Sequence, residues 1–352
     1  MDPANYFDHA ATTRVCEAAQ EAMLPWFGPL FGNAHSLHSW GTRARDSVES
    51  ARELIASLLG AEDPSQIIFT SGATEACNTM VRLASGRRSQ VSPFEHAAVR
   101  EPASRAGIPL IPNQGFRLHA DPERTAIVTA CCNETGAIFN HSGDWYCDAT
   151  QAIGKLPVSL TDYSGAAFSA HKFGGPMGVG ALFLRDPLEL FSVQPLLVGG
   201  GQEGGHRAGT LNVPGIVGMA AALEFALQHP FADEAAVLRR TVVSGMSAIS
   251  GICFNDSPMQ SPFILSATIP GVVAQPLVEE VSRKGFAISS GPACSSGSTD
   301  PSPVLTSLGL TESEALSTIR ISFGHGNTDS SASALSSAIC ETVFSLRPEL
   351  AP

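Results

Sequence analysis

The chain has 352 residues, 43% of them hydrophobic and 15% charged, and a formal net charge of −12. That length is more than one ordinary core supports and predicts two domains; the composition excludes a disordered chain, and the acidic balance excludes the basic footprint of a nucleic-acid binder. No apolar run approaches the ~18 residues that span a bilayer, and the start, MDPANYFDHAATT, has no basic-then-apolar leader pattern, so the expectation is a soluble, cytoplasmic protein with no membrane partner. Eight cysteines are scattered without any C-x-x-C pair. That spacing suits neither a zinc site nor a secreted disulfide framework, so no metal is expected.

In chain order, DSVESARELIASLLG predicts a helix: Val48, Ala51, Ile55 and Leu58 recur at three- and four-residue steps, and Gly60 supplies a stop. A strand, IIFT, then leads through a serine-glycine turn into a helix opening at ATEACNTMV. Further strands are expected at AIVTA, WYCDA, GAAFSA and GALFL. Alternation of this kind predicts an α/β unit with a largely parallel sheet, whose ligands sit at the carboxyl ends of the strands. The polar residues after each run fall at such ends. Beyond residue 230 the texture changes to a helix, a strand FILSATI, a helix PLVEEVSRKG, a strand FAISS, a strand IRISFG and a last helix. This fits a smaller α/β domain.

Several stretches carry candidate chemistry. SAHKFGG holds Lys172, one of three lysines in the chain. A lysine on a crowded turn is either an exposed turn residue or an amine with a lowered pKa able to form a Schiff base. TSGATEA is a strand, a glycine turn and a helix N-terminus, which favours phosphate, though Thr70 or Ser71 acting as a plain cap explains the same residues. VGGGQEGGHRAGT has six glycines in thirteen residues, which suits close approach to a ligand or another chain, or a flexible loop. Asp148 closes an apolar strand, as a cap or as the partner of a protonated ring nitrogen. His96 could stack on such a ring or move protons. Cys294, in SSGPACSSGS, lies among small polar residues on an expected loop, where a thiol can be a nucleophile or an inert surface group. Arg320 is a charge inside a strand, suited to an ion pair or to clamping a carboxylate.

Together, YFDHAATT, FGNAHSLHSWG, IIFTSGATEACN, FEHAAV, CNETG, CDATQAIGKLPV, FSAHKFGGPMGVGALF, HRAGTLN, SSGPACSSGSTDPSPVLTSLG and IRISFG, in this order, resemble the cysteine desulfurases of the NifS/IscS class, in the class V aminotransferase group. The resemblance runs over nearly the whole chain. It implies the type I fold of pyridoxal-phosphate enzymes, with a large cofactor-binding domain at 13–250 and a small domain made of 1–12 and 251–352. It implies a homodimer, L-cysteine as substrate, L-alanine as product, pyridoxal 5'-phosphate as cofactor, and a sulfur-acceptor protein such as an iron–sulfur scaffold or a tRNA-thiolation relay. Lys172 would carry the cofactor as a Schiff base and move the substrate α-proton, and His96 would stack on the ring. Asp148 would pair with the ring nitrogen, with Gln151 and Asn133 near the phenolic oxygen. Ala73, Thr74, Ser169 and His171 would hold the phosphate, with Thr210 arriving from a second subunit. Arg320 would clamp the substrate carboxylate beside Asn33 and Asn133, and Cys294 would take the sulfur as a persulfide.

The chain departs from the pattern at His9, where asparagine is usual, at Cys132, also in place of asparagine, at Gly204 and His325 in place of arginines, and at Met177 in place of a basic residue. Asp148 follows Asn133 by 15 positions, too few for the family's intervening helix, and the stretch between His96 and Ala126 is also short. Selenocysteine lyase, another class V reaction, and a scaffold without turnover are the competing functions the sequence leaves open.

Overall fold

The computed structural model describes residues 2–140, 143–291 and 300–351. Helices α1 (Glu17–Met23) and α2 (Ser39–Leu59) precede strand β1 (Ile67–Thr70), helix α3 (Ala73–Ser85), strand β2 (Ser89–Val91) and helix α4 (Ala97–Arg105). A small hairpin, β3 (Asn113–Gln114) and β4 (Arg117–Leu118), leads to β5 (Thr125–Ile127), β6 (Trp145–Asp148), β7 (Gly165–Ser169) and β8 (Gly180–Leu184). Then come α5 (Val213–Gln228), α6 (Ala232–Met246), β9 (Cys253–Phe254), β10 (Ile264–Thr268), α7 (Ala274–Arg283), α8 (Pro303–Ser307), α9 (Glu312–Leu316), β11 (Thr318–Ser322) and α10 (Asp329–Leu346).

The main sheet has the order β1-β8-β7-β6-β5-β2. β2, β5, β6 and β7 pair in parallel, whereas β8 is antiparallel to both β7 and β1. The largely parallel sheet expected from the alternation therefore contains one reversed strand. Only a short turn separates β7 from β8, too little for the helical crossover a parallel pairing needs. With β8 reversed, β1 again runs alongside β7 in direction. The carboxyl ends of every strand except β8 thus lie on one edge, where Thr70, Asp148 and Ser169 sit. Gly180 faces Thr70 on one side and Ser169 on the other. A Cβ there would stand 2.5 Å from the Phe168 carbonyl and 2.7 Å from Gly72 Cα, so a glycine is what lets the α3 turn close over the sheet.

Every residue of β1, β5, β6, β7 and β8 is buried, as expected where helices cover both faces. α5 is apolar nearly all round and packs against both α1 and α2. α2 begins at Ser39, with His38 as its cap, well before the first apolar residue that marks it in the sequence. Its first buried positions are Gly41 and Ala44, too small to give a hydrophobic signal.

A second sheet has the order β11-β10-β9, antiparallel throughout. The first residues of the chain join it: Tyr6 bridges Ala287 and Asp8 bridges Ser322. The strand expected at FAISS is replaced by isolated bridges, Ala287 to Tyr6 and Ser289 to Arg320. Its backbone pairs alternately with two different neighbours, so no continuous ladder forms.

Candidate active site

At the carboxyl edge of the main sheet lies a cavity of about 450 Å³, within the range of small-molecule sites. It is bordered by ten of the residues expected from sequence: Ala73, Thr74, His96, Asn133, Asp148, Gln151, Ser169, His171, Lys172 and Arg320. Asn33 and Thr210 are exposed and do not border the cavity of this chain. Cys294 lies outside the described residues. On either side of that segment, Ser289 exchanges backbone hydrogen bonds with Arg320, and Ser302 Oγ donates to Glu134 Oε2 at 2.6 Å, beside Asn133.

Each group is held by its element. Asp148 ends β6 and is 5% exposed, one carboxylate oxygen accepting from the Thr150 N–H at 3.0 Å. His96 caps α4 with Nδ1 accepting from the Ala98 N–H at 3.1 Å; the proton of the neutral ring is thereby assigned to Nε2. α3 opens at Gly72, which has no side chain to cap it, so its first-turn amides face the cavity with the positive end of the helix dipole. Lys172 follows β7 on a short turn. Its Nζ donates to the Ala10 and Ala11 carbonyls, both at 2.7 Å, which ties the amine to the N-terminal segment. His171 Nδ1 meets Thr12 Oγ1 at 3.1 Å. Burial, with the nearby Lys172 and Lys155 charges, lowers the His171 pKa to about 4 and keeps it neutral at pH 7.

Arg320 is 1% exposed. One Nη donates to the Asn133 carbonyl at 2.9 Å and the other to Asp8 at 2.8 Å. Its Nε is buried without a partner, as is Thr150 Oγ1, and both residues border the cavity. Two unmet buried polar atoms on one wall are the mark of a site built for a polar ligand.

Some working residues gave no separate signal in the sequence. Glu75, inside TSGATEA, accepts from the Ser71 N–H at 2.8 Å and from Arg207 at 2.9 Å, so it links the α3 turn to the glycine-rich segment. Lys155, inside CDATQAIGKLPV, donates from Nζ to Gln151 Oε1 at 3.1 Å. Gln151 in turn donates to the Ala10 carbonyl at 2.8 Å, the same oxygen that Lys172 uses. A turn of helical spacing, four positions, separates Gln151 from Lys155 and is the one cue that the two could meet.

Burial of the Lys155 amine, with the charge of Lys172 nearby, lowers its pKa from 10.5 to about 7. The unfolded chain therefore binds the extra proton between pH 7 and 10.5, and stability rises with pH across that window. Below pH 7 both states are charged and the burial penalty is fully felt. Thermal melts should accordingly show the wild type gaining stability relative to Lys155→Met as pH rises from 7 towards 10. Parallel curves for the two proteins would refute the assignment.

A profile of the aminotransferase class-V family matches residues 5–110 and 127–335. A cysteine desulfurase of Rhodobacter capsulatus is 34% identical over 98% of this chain and 98% of its own length. A cysteine desulfurase IscS of Anaeromyxobacter sp. is 36% identical over 99% of this chain and 94% of its own. Among solved structures, a NifS-like protein superposes with a TM-score of 0.84 at 32% identity, over 97% of this chain and 99% of that one. The structure of SspA in complex with cysteine superposes with a TM-score of 0.76 at 30% identity, over 92% of this chain and 100% of that one. The fold is that of the pyridoxal-phosphate fold type I proteins. This chain belongs to the class V aminotransferase family, and within it to the cysteine desulfurases of the NifS/IscS class.

Proposed function

We propose that this chain holds pyridoxal 5'-phosphate, converts L-cysteine to L-alanine, and leaves the sulfur as a persulfide on Cys294 for an acceptor protein. The observation that carries the reading is the meeting of Lys172, His96, Asp148 and Arg320 on one cavity. The residues present fit the cofactor. The uncapped α3 terminus with Ser169 and His171 suits its phosphate, Asp148 suits a protonated ring nitrogen, and the open Thr150 Oγ1 is a further polar contact. Lys172 is the amine that would hold it covalently. When bound, pyridoxal phosphate supplies an electron sink for charge developing at the substrate α-carbon.

This chain's own groups do the rest. Arg320, already oriented by Asp8 and Asn133, presents its open Nε to the substrate carboxylate. Lys172 Nζ and His96 Nε2 border the same space and can hold or pass a proton there. In the net reaction the substrate Cβ–S bond breaks, an S–S bond to Cys294 Sγ forms, and Cβ takes up a proton, so no external oxidant is consumed. The acceptor then draws sulfur away by thiol exchange. The exposed Thr210, away from the cavity of its own chain, supports a homodimer in which it completes the neighbouring site. No helix among the described residues is long and apolar enough to cross a membrane.

The decisive experiment is the visible absorption spectrum of the purified protein before and after L-cysteine and a reductant, with sulfide and alanine assayed. Wild type should show a cofactor band and both products, whereas Cys294→Ala should keep the band and lose sulfide and alanine. A band without products from wild type would leave a pyridoxal enzyme of another reaction. No band at all would end the enzyme reading.

A further inference from the structure

A second cavity, of about 330 Å³, adjoins the first and shares only Lys172 with it. Its walls combine two kinds of surface. Phe173, Phe225, Phe231, Phe263 and Phe323 supply aromatic faces. Lys155, Lys172 and Arg14 supply positive charge against one carboxylate, the exposed Glu17. Between them stand His9, His229 and His325. His325 leans on Phe231 with centroids 4.7 Å apart, and His229 stacks on Phe225 at 4.4 Å.

His9 is the distinctive member. It is 5% exposed, and both ring nitrogens are buried without a hydrogen-bond partner. The Tyr6 backbone and the Asn327 side chain lie close to the ring, but neither meets a nitrogen at hydrogen-bonding geometry. Asn327 is already committed, donating to the Ala4 and Tyr6 carbonyls and accepting from the Gly324 N–H. An unmet buried donor or acceptor costs about 1–3 kcal/mol, so a pair of them on a cavity wall points to a polar group that belongs there when the cavity is filled. His9 and His325 are also two of the positions at which this chain departs from its family's pattern, and both departures converge on this one cavity.

We propose that this cavity is a second ligand site, for a small aromatic carboxylate, and that its occupancy is felt at Lys172. A ring of one or two fused cycles has the volume for the space between the phenylalanines, and the carboxylate meets the Lys155 ammonium and the His9 N–H. The route to the active site is short: Lys155 Nζ to Gln151 Oε1, Gln151 Nε2 to the Ala10 carbonyl, and Lys172 Nζ on that same carbonyl. An anion that draws Lys155 off Gln151 frees the Gln151 amide to turn, and with it the hold on the oxygen that positions Lys172.

The test is calorimetric titration of the full chain with indole-3-acetate as the aromatic carboxylate and indole as its neutral counterpart. Indole-3-acetate should bind with a dissociation constant below about 1 mM and indole at least about tenfold more weakly. Lys155→Met should weaken indole-3-acetate binding about tenfold. Ala226→Phe, which fills the cavity from α5, should abolish it, with circular dichroism reporting the fold of both variants. Labelling of Lys172 by an amine-reactive reagent, read by mass spectrometry on protein stripped of its cofactor so that the amine is free, should change at least about twofold when indole-3-acetate is present. Absence of binding, equal binding of indole, or affinity indifferent to Lys155→Met would overturn the site, and unchanged Lys172 labelling would overturn the coupling. None of these readouts depends on turnover, so the proposal and the desulfurase reading can fail independently.

Discussion

Replacing Lys172 by alanine is expected to lower L-cysteine turnover by at least about 10³-fold and to remove the visible cofactor band. The amine sits at the cavity wall and donates to two backbone carbonyls, those of Ala10 and Ala11, both 2.7 Å away, which help fix its direction. Lys172→Arg should not rescue activity, because a guanidinium cannot lose a proton in a protein and is a poor nucleophile. Stability should move much less. Two hydrogen bonds go with Lys172, but Gln151 still donates to the Ala10 carbonyl, so the Ala11 carbonyl alone loses its side-chain donor, at about 1–3 kcal/mol. A variant that unfolds with loss of activity, or one that keeps more than about a tenth of wild-type turnover, would be incompatible with this role.

The largest expected effect on stability lies away from the cavity. Glu203 stands inside the glycine-rich segment with φ 47° and ψ 46°, and it is the one non-glycine among the described residues with positive φ. Its carboxylate, 2% exposed, takes two Arg52 N–H donors at 2.8 and 2.9 Å and the Phe69 N–H at 2.8 Å. Arg52 also donates to the Ile67 carbonyl at 2.6 Å and lies 4.6 Å over the Phe69 ring. Glu203→Ala leaves that guanidinium buried with only the more exposed Glu49 as counter-charge. Breaking one partner of such a pair costs about 3–5 kcal/mol, a fall in Tm of about 4–7 °C for a chain of this size. A calorimetric Tm within about 2 °C of wild type would mean that the pair contributes nothing net. The loss should also loosen the segment that carries Arg207 and Thr210, and so weaken the tie from Arg207 to Glu75 at the α3 turn.

The site chemistry was legible where it was local. Lys172, Asp148 and Thr74 each follow an apolar run within a few residues, and the rule that parallel strands present ligands at their carboxyl ends was enough to bring them together. His96 was legible only through its motif, since an isolated histidine carries little weight alone. The glycine-rich segment left two readings open, close approach or flexibility, and composition could not choose between them. What pins it is Glu203, whose partner Arg52 is 151 positions away and on a helix whose pattern says nothing about a buried charge. Arg320 was likewise recognisable as a charge within a strand, while its pairing with Asp8, 312 positions earlier, was not.

By itself the sequence determined the alternation of strands and helices, the family, and most of the residues that border the active cavity, because each rests on spacing over a few residues or on ordered motifs. Only the tertiary structure decided the reversal of β8, the particular pairings of Asp8 with Ser322 and Arg320, the Lys155–Gln151–Ala10–Lys172 relay and the second cavity. Those depend on which distant segments lie side by side. Pairing energy at such contacts comes from burial and geometry that no local pattern encodes, so His9 reads in the chain as one altered letter of a motif and in the fold as the wall of a separate pocket.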